Sequence, residues 1–135
     1  MFLKNWRVAE VVRTGLYKGQ QLGQYALHAW VIMPNHVHVL LTPRIHPTRL
    51  INLLKGATAR EANKILRRTG EPFWQGECYD HWVRDEEEFA RIARYIANNP
   101  VRAGLAGAPA DYPWSDCYER ADESARGGEE SARHR

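Results

Sequence analysis

The chain has 135 residues, of which 44% are hydrophobic and five are tryptophan, so it is long and apolar enough for one folded domain and is excluded from the disordered class. Its net charge of +3 permits a polyanionic partner without requiring one. No apolar run has membrane-spanning length, and the two cysteines have neither zinc-site nor disulfide-framework spacing, so we expect a cytoplasmic protein with no membrane association.

The N-terminal part of the sequence predicts a helix followed by a loop. Apolar residues recur at helical spacing over residues 6–16, and Asn5 directly before them is a suitable N-cap. The glycine-rich stretch around Gln20 and Gln21 has no apolar pattern, so it is predicted to be a loop.

A β-hairpin is predicted next, and the rest of the chain is organised around it. Two β-rich runs, residues 25–33 and 36–42, flank Pro34 and Asn35, which favour a tight turn. Alternate residues of a strand lie on the same face, so His36 and His38 share one face of the second strand. Two adjacent imidazoles can bind one divalent metal ion, although two ordinary sheet histidines are the commoner explanation of this pattern.

A basic helix follows, predicted over residues 48–68. Its apolar stripe has helical spacing, and its other positions carry six basic residues and one acid, a local charge of +5. The basic residues are Arg49, Lys55, Arg60, Lys64, Arg67 and Arg68. Such a one-signed face can contact a phosphate backbone, and it can equally be a solvated surface.

The last third of the sequence predicts a short strand, a third helix and a tail. Residues 77–84 have the alternation of a strand, and Asp85 opens a helix with the spacing of a capping box. Because Pro100 disfavours helical geometry at the preceding residue, we expect this helix to end near residue 98. Residues 1–118 are then one domain, and the polar composition of residues 119–135 predicts a disordered tail.

Tyr95 and Asn99 lie four residues apart near the end of the third helix, so they project from one side of it. A tyrosine there is most often a rim residue of the apolar face. A phenol one turn from an amide is also what a metal-assisted nucleophile requires. The amide oxygen and two imidazoles suit Mg²⁺ or Mn²⁺ shared with a substrate phosphate.

Several segments together resemble one family. The run AWVIMPNHVHVLL (residues 29–41) resembles the His-hydrophobic-His motif of single-tyrosine HUH transposases, which are IS200-like. The run RYIANNPVRAGL (residues 94–105) is similar to the tyrosine helix of their REP-associated branch. Segments 73–76, 79–81 and 84–86 also match that branch, so the resemblance extends from about residue 25 to residue 105.

The resemblance implies an α+β, ferredoxin-like fold in which an antiparallel sheet has helices on one face. It implies metal-dependent cleavage and joining of single-stranded DNA beside REP-like hairpins, through a covalent 5′-phosphotyrosine, by a monomer or a homodimer. Tyr95 is then the nucleophile, and the ligands of Mg²⁺ or Mn²⁺ are His36, His38 and Asn99. The basic helix holds the DNA, and three further residues are expected to line the site: Trp74, Gln75 and His81.

Members of this family usually have a strand before the first helix, whereas this sequence reaches the helix within about four residues. Either the start was assigned too late, or this is a degenerate copy without the first strand of the sheet. Loss of that strand would expose a sheet edge or leave a gap in the core, so we expect lower stability and impaired activity. One alternative is a non-catalytic module of the same fold that binds structured single strands. A histidine-triad nucleotide hydrolase is disfavoured, because position 40 is leucine where that pattern needs a third histidine.

Overall fold

The computed structural model describes residues 4–70 and 83–133, and of residues 126–133 only the helical backbone. Its elements in chain order are α1 (Trp6–Gln21), β1 (Tyr25–Ile32), β2 (Val37–Pro43), α2 (Pro47–Leu66), α3 (Glu86–Arg102), a 3-10 turn (Pro109–Asp111) and α4 (Asp116–Arg133). This arrangement confirms the predicted α+β class. None of the helices in these ranges is long and apolar enough to cross a membrane.

The predicted hairpin is confirmed. β1 and β2 pair antiparallel, with Val31 opposite His38, and Met33 N–H donates to the His36 carbonyl oxygen at 2.8 Å across the Pro34–Asn35 turn. The register shifts by one residue between Leu27 and Ala29. In the part of the chain that the structure describes, the sheet has these two strands, and the strand predicted over residues 77–84 lies almost entirely outside that part.

Helices pack against both faces of the hairpin, whereas the family resemblance implied helices on one face. Trp30 and Ile32 belong to a core with α1 and α2, and we call this side the α1/α2 face. Val31 and Leu40 belong to a second core with α3, and we call that side the α3 face. The reason is visible in β1, where neighbouring residues are all apolar from Ala29 to Met33, as in strands buried on both sides.

α1 begins as predicted, with Asn5 accepting a hydrogen bond from Arg7 N–H, but it continues to Gln21 through the stretch predicted as a loop. Gly19, at the start of this stretch, is a site of close packing. A Cβ atom on Gly19 would lie 2.5 Å from ring carbons of Tyr25, which is 1% exposed. Gly19 therefore permits α1 to approach β1 closely.

α2 lies within two residues of its predicted bounds. His46 accepts a hydrogen bond from Thr48 N–H at the start, and Pro47 occupies the first turn, where its missing N–H has no cost. At the end, Arg67 adopts a left-handed conformation and closes the helix.

α3 begins at the predicted cap, where Asp85 accepts from Glu88 N–H, but it does not end before Pro100. It continues to Arg102, so the predicted end near residue 98 was wrong. The ring of Pro100 is buried on the apolar side of the helix, and this packing offsets the backbone hydrogen bond that proline cannot make. Gly104, with φ +75°, then ends the helix.

The C-terminal residues, predicted to be disordered after residue 118, continue as α4 to Arg133. The start of α4 is fastened to the body of the domain by polar contacts that composition does not show. Asp116 accepts from Trp30 N–H at 2.9 Å, and Glu119 accepts from the Tyr17 hydroxyl and pairs with Arg13.

The edge of β1 that faces away from β2 is contacted by the segment just before α4. Ile32 N–H donates to the Trp114 carbonyl oxygen at 2.8 Å, and Val31 forms an isolated bridge with Ser115. With the Asp116 contact, three consecutive residues, 114–116, occupy this edge. The C-terminal end of this edge, from Trp30 to Ile32, therefore has polar partners.

Candidate active site

The two histidines of the hairpin lie together on the α3 face, as the alternation of the strand predicts. Their ring centroids are 4.6 Å apart in an edge-to-face arrangement. His36 Nδ1 lies 2.5 Å from the Asn35 side-chain oxygen, which orients that ring beside the turn. Two imidazoles this close present a pair of nitrogen ligands to one side of the sheet.

Tyr95 is brought to the same place by α3. Its ring centroid lies 5.8 Å from that of His38, although the two residues are far apart in sequence. Its neighbour Ile96 is buried against the sheet, whereas the Tyr95 side chain is 48% exposed. The phenol therefore borders the histidine pair and remains open to a ligand from solvent.

Asn99 lies one helical turn after Tyr95 and is 8% exposed. Spacing of four residues places it on the Tyr95 side of α3. Its role as an oxygen ligand beside the imidazoles stays a prediction. Across residues 4–70 and 83–133, no group of three or more His, Cys, Asp or Glu residues could hold a metal ion. The candidate donor set is therefore two histidines with an amide, and its role as a metal site stays a prediction.

The chemistry of this donor set fits a divalent cation. Burial, the neighbouring His36 and Arg102 all lower the pKa of His38. A lowered pKa keeps the imidazole neutral, and the neutral form is the one that ligates metal. Two nitrogen ligands and an amide oxygen also leave coordination positions open for substrate oxygens.

Arg102 is a residue of this site that the sequence analysis missed. Its guanidinium carbon lies 4.4 Å from the centroid of the Tyr95 ring, and the side chain is exposed. It follows Tyr95 by seven residues, which is two helical turns. The signal was present in the sequence, but it required a helix that continues through Pro100.

The basic residues of α2 lie across the sheet from this site. Within α2, Arg49, Arg60 and Lys64 are exposed and Lys55 is half-buried. Arg67 and Arg68 follow the last residue of α2, and the first is exposed and the second half-buried. α2 packs on the α1/α2 face, whereas the histidines and Tyr95 are on the α3 face. A DNA strand that contacts both must therefore pass around the sheet. The predicted site-lining residues Trp74, Gln75 and His81 lie outside the described residues.

Comparison with known proteins identifies relatives. The family model described as IS200-like transposase matches residues 2–99. The chain is 28% identical over 98 residues to a Haemophilus influenzae protein provisionally named a REP-associated tyrosine transposase, an alignment that covers 64% of this chain and 56% of that protein. It is 24% identical over 113 residues to the REP-associated tyrosine transposase of Escherichia coli K12, which covers 78% of this chain and 62% of that protein.

The chain thus spans less than two thirds of the length of these relatives. No solved structure matches it significantly. The family match extends from the N-terminal residues through both histidines, Tyr95 and Asn99, and so includes the whole predicted ligand and nucleophile set. Because the family model matches residues 2–99 of a chain of 135 residues, the chain belongs to the IS200-like transposase family.

Proposed function

We propose that this protein cleaves and rejoins single-stranded DNA beside hairpins, in the cytoplasm, with Tyr95 as the nucleophile and a divalent metal ion as cofactor. The observation that carries the proposal is the 5.8 Å separation between the rings of His38 and Tyr95. It is supported by the relatives named REP-associated tyrosine transposases. A phenol beside two imidazoles is the arrangement that a metal-assisted attack on phosphate needs.

In the proposed reaction, the Tyr95 oxygen attacks the scissile phosphorus and its proton leaves to solvent. The bond from phosphorus to the 3′ oxygen breaks, and that oxygen leaves as a free 3′ hydroxyl after taking up a proton. The 5′ phosphate stays on Tyr95 as a phosphodiester, which keeps the bond energy for joining to a second 3′ hydroxyl. No water is consumed in either step, so cleavage is reversible.

His36, His38 and Asn99 are the residues that would hold the metal ion. When bound, Mg²⁺ or Mn²⁺ supplies Lewis-acid polarisation of the phosphate oxygen. The protein residues supply position: the hairpin fixes the imidazoles, and the packing of α3 on the same face fixes the phenol beside them.

The proposal is tested with the whole chain, Mn²⁺ and a hairpin oligonucleotide labelled at its 3′ end. After cleavage, the segment that carries the label is attached to the protein through its 5′ phosphate. The label should therefore migrate with the protein in a denaturing gel. The adduct should disappear in Tyr95→Phe and persist in Tyr118→Phe, a matched control at another exposed tyrosine. An adduct of equal yield in Tyr95→Phe rejects the assigned nucleophile.

A second candidate function, binding without cleavage, is favoured by the position of α2. Its exposed basic residues can hold a phosphate backbone on the α1/α2 face without reference to the histidines. In that case His36→Ala and His38→Ala leave DNA affinity unchanged and no adduct forms in any variant. Affinity that does not fall with added salt argues against phosphate contacts by α2.

A further inference from the structure

Arg102 differs from Arg84 and Arg91 of the α3 segment in forming no ion pair with the residues that the structure describes. Arg94 has no acidic partner among those residues either, but Arg102 also lies over the ring of Tyr95. Arg84 and Arg91 both pair with the buried carboxylate of Glu88, at 3.0 and 3.9 Å. Arg102 forms no ion pair with any residue in the ranges that the structure describes, and its guanidinium lies over the ring of Tyr95. An exposed, unneutralised guanidinium therefore lies directly beside the candidate nucleophile.

We infer that Arg102 is the residue that binds the DNA phosphate presented to Tyr95. This inference rests on the proposed function and adds a residue to its substrate site. The ligand is a phosphodiester of single-stranded DNA, and Arg102 positions it and does not react.

The chemistry of the guanidinium supports this assignment. Arginine binds phosphate through planar N–H donors, and contact with an aromatic ring leaves those donors at its edge available. The guanidinium carbon of Arg102 lies 4.4 Å from the centroid of the Tyr95 ring. A phosphate that accepts a hydrogen bond from Arg102 is therefore held beside that ring. Arg102 thus positions a bound phosphate next to the phenol of Tyr95.

The electrostatics of the site favour the same ligand. The guanidinium of Arg102 lies beside the Tyr95 ring, and that ring lies beside the imidazole of His38, which in turn contacts that of His36. Within the described residues none of these three nitrogen-bearing side chains forms an ion pair with a carboxylate, so an anion at this place meets no competing acid there.

Arg102 has a simpler possible role, which the experiment must separate. A cation in the last turn of a helix interacts favourably with the helix dipole, and a cation over a ring stabilises their mutual packing. Both roles change thermal stability without changing how DNA affinity depends on salt. Salt dependence of binding is therefore the decisive measurement.

Binding is measured in the Tyr95→Phe background, so that no covalent product forms, with a fluorescent hairpin oligonucleotide that has a single-stranded flank. Arg102→Gln should weaken binding about tenfold, since loss of a charge-assisted hydrogen bond costs about 1.4 kcal/mol. The slope of log affinity against log salt should become shallower by about 0.7, the value for one phosphate contact on a single strand. Arg102→Lys, which keeps the charge, should keep the slope.

The matched control is Arg7→Gln. Arg7 also lies over an aromatic ring, that of Trp6 at 5.5 Å, but it belongs to α1, which packs on the α1/α2 face and not on the α3 face. It removes the same charge and the same type of ring contact. If Arg102→Gln and Arg7→Gln give the same affinity and the same slope, the inference is overturned.

Adduct formation with Tyr95 intact distinguishes this inference from the proposed function. A Tyr95-dependent adduct that forms at wild-type rate in Arg102→Gln, with unchanged binding, removes the role of Arg102 and leaves the function standing. A binding defect specific to Arg102→Gln, with no adduct in any variant, keeps the phosphate site and removes the function.

Discussion

The close approach of α1 to β1 gives a stability prediction whose sign the structure decides. In Gly19→Ala, the new methyl group would lie 2.5 Å from Tyr25 ring carbons, well inside ordinary contact distance. Tyr25 cannot move easily, because it is 1% exposed and its hydroxyl donates to the Leu16 carbonyl oxygen at 2.5 Å. Overpacking of this kind costs about 3 kcal/mol, whereas alanine gains about 1 kcal/mol over glycine in a helix.

The expected net loss for Gly19→Ala is therefore about 2 kcal/mol, or a fall in Tm of about 6–8 °C for a domain of this size. The matched control is Gly56→Ala in α2, where an added Cβ meets nothing within 4 Å. This control gains the helix preference without the overpacking, so its Tm should rise by about 3 °C. The Tm of both variants is measured by thermal denaturation monitored by circular dichroism. A Gly19→Ala protein at least as stable as wild type refutes the packing of α1 on Tyr25.

Three further predictions concern metal removal, the β1 edge and pH. Chelation with EDTA should abolish the covalent adduct and added Mn²⁺ should restore it, in the labelled-oligonucleotide assay; an adduct that persists in chelator excludes a metal-dependent attack. Asp116→Ala should destabilise the fold by about 1–3 kcal/mol in chemical denaturation, because the buried Trp30 N–H loses its acceptor; an unchanged midpoint contradicts that contact. Burial raises the pKa of the Tyr25 phenol from 10.0 to about 12. The stability that the protonated phenol contributes is therefore complete below pH 10 and is lost as pH rises to about 12. Over this range the denaturation midpoint of Tyr25→Phe should fall less steeply than that of wild type.

The hairpin and its histidines could be predicted from sequence because their signals are local. A turn dipeptide between two β-rich runs sets the pairing, and alternation alone places His36 and His38 on one face. The meeting of Tyr95 with His38 is a long-range contact, and it came from resemblance to a family and not from spacing. The structure shows the contact, and the chemical roles of these residues stay predictions.

The errors have one physical cause, which is that tertiary packing overrides local preference. Pro100 ends an isolated helix, but here its buried ring stabilises α3 and so carries Arg102 into the site. Gly19 weakens an isolated helix, but here it permits contact with Tyr25. The start of α4 is held by a contact between Glu119 and Tyr17, which are 102 residues apart in sequence. The amino-acid composition of the C-terminal residues cannot indicate such a long-range contact.

The segment 114–116 also determines how copies of this protein can meet. A bare β-strand offers a row of unpaired N–H and C=O groups that recruits strands from other molecules and leads to aggregation. Here the outward N–H groups of Trp30 and Ile32 are already engaged by Asp116 and Trp114. Intermolecular strand pairing at this edge must first displace those residues, so the segment 114–116 hinders aggregation through this end of β1.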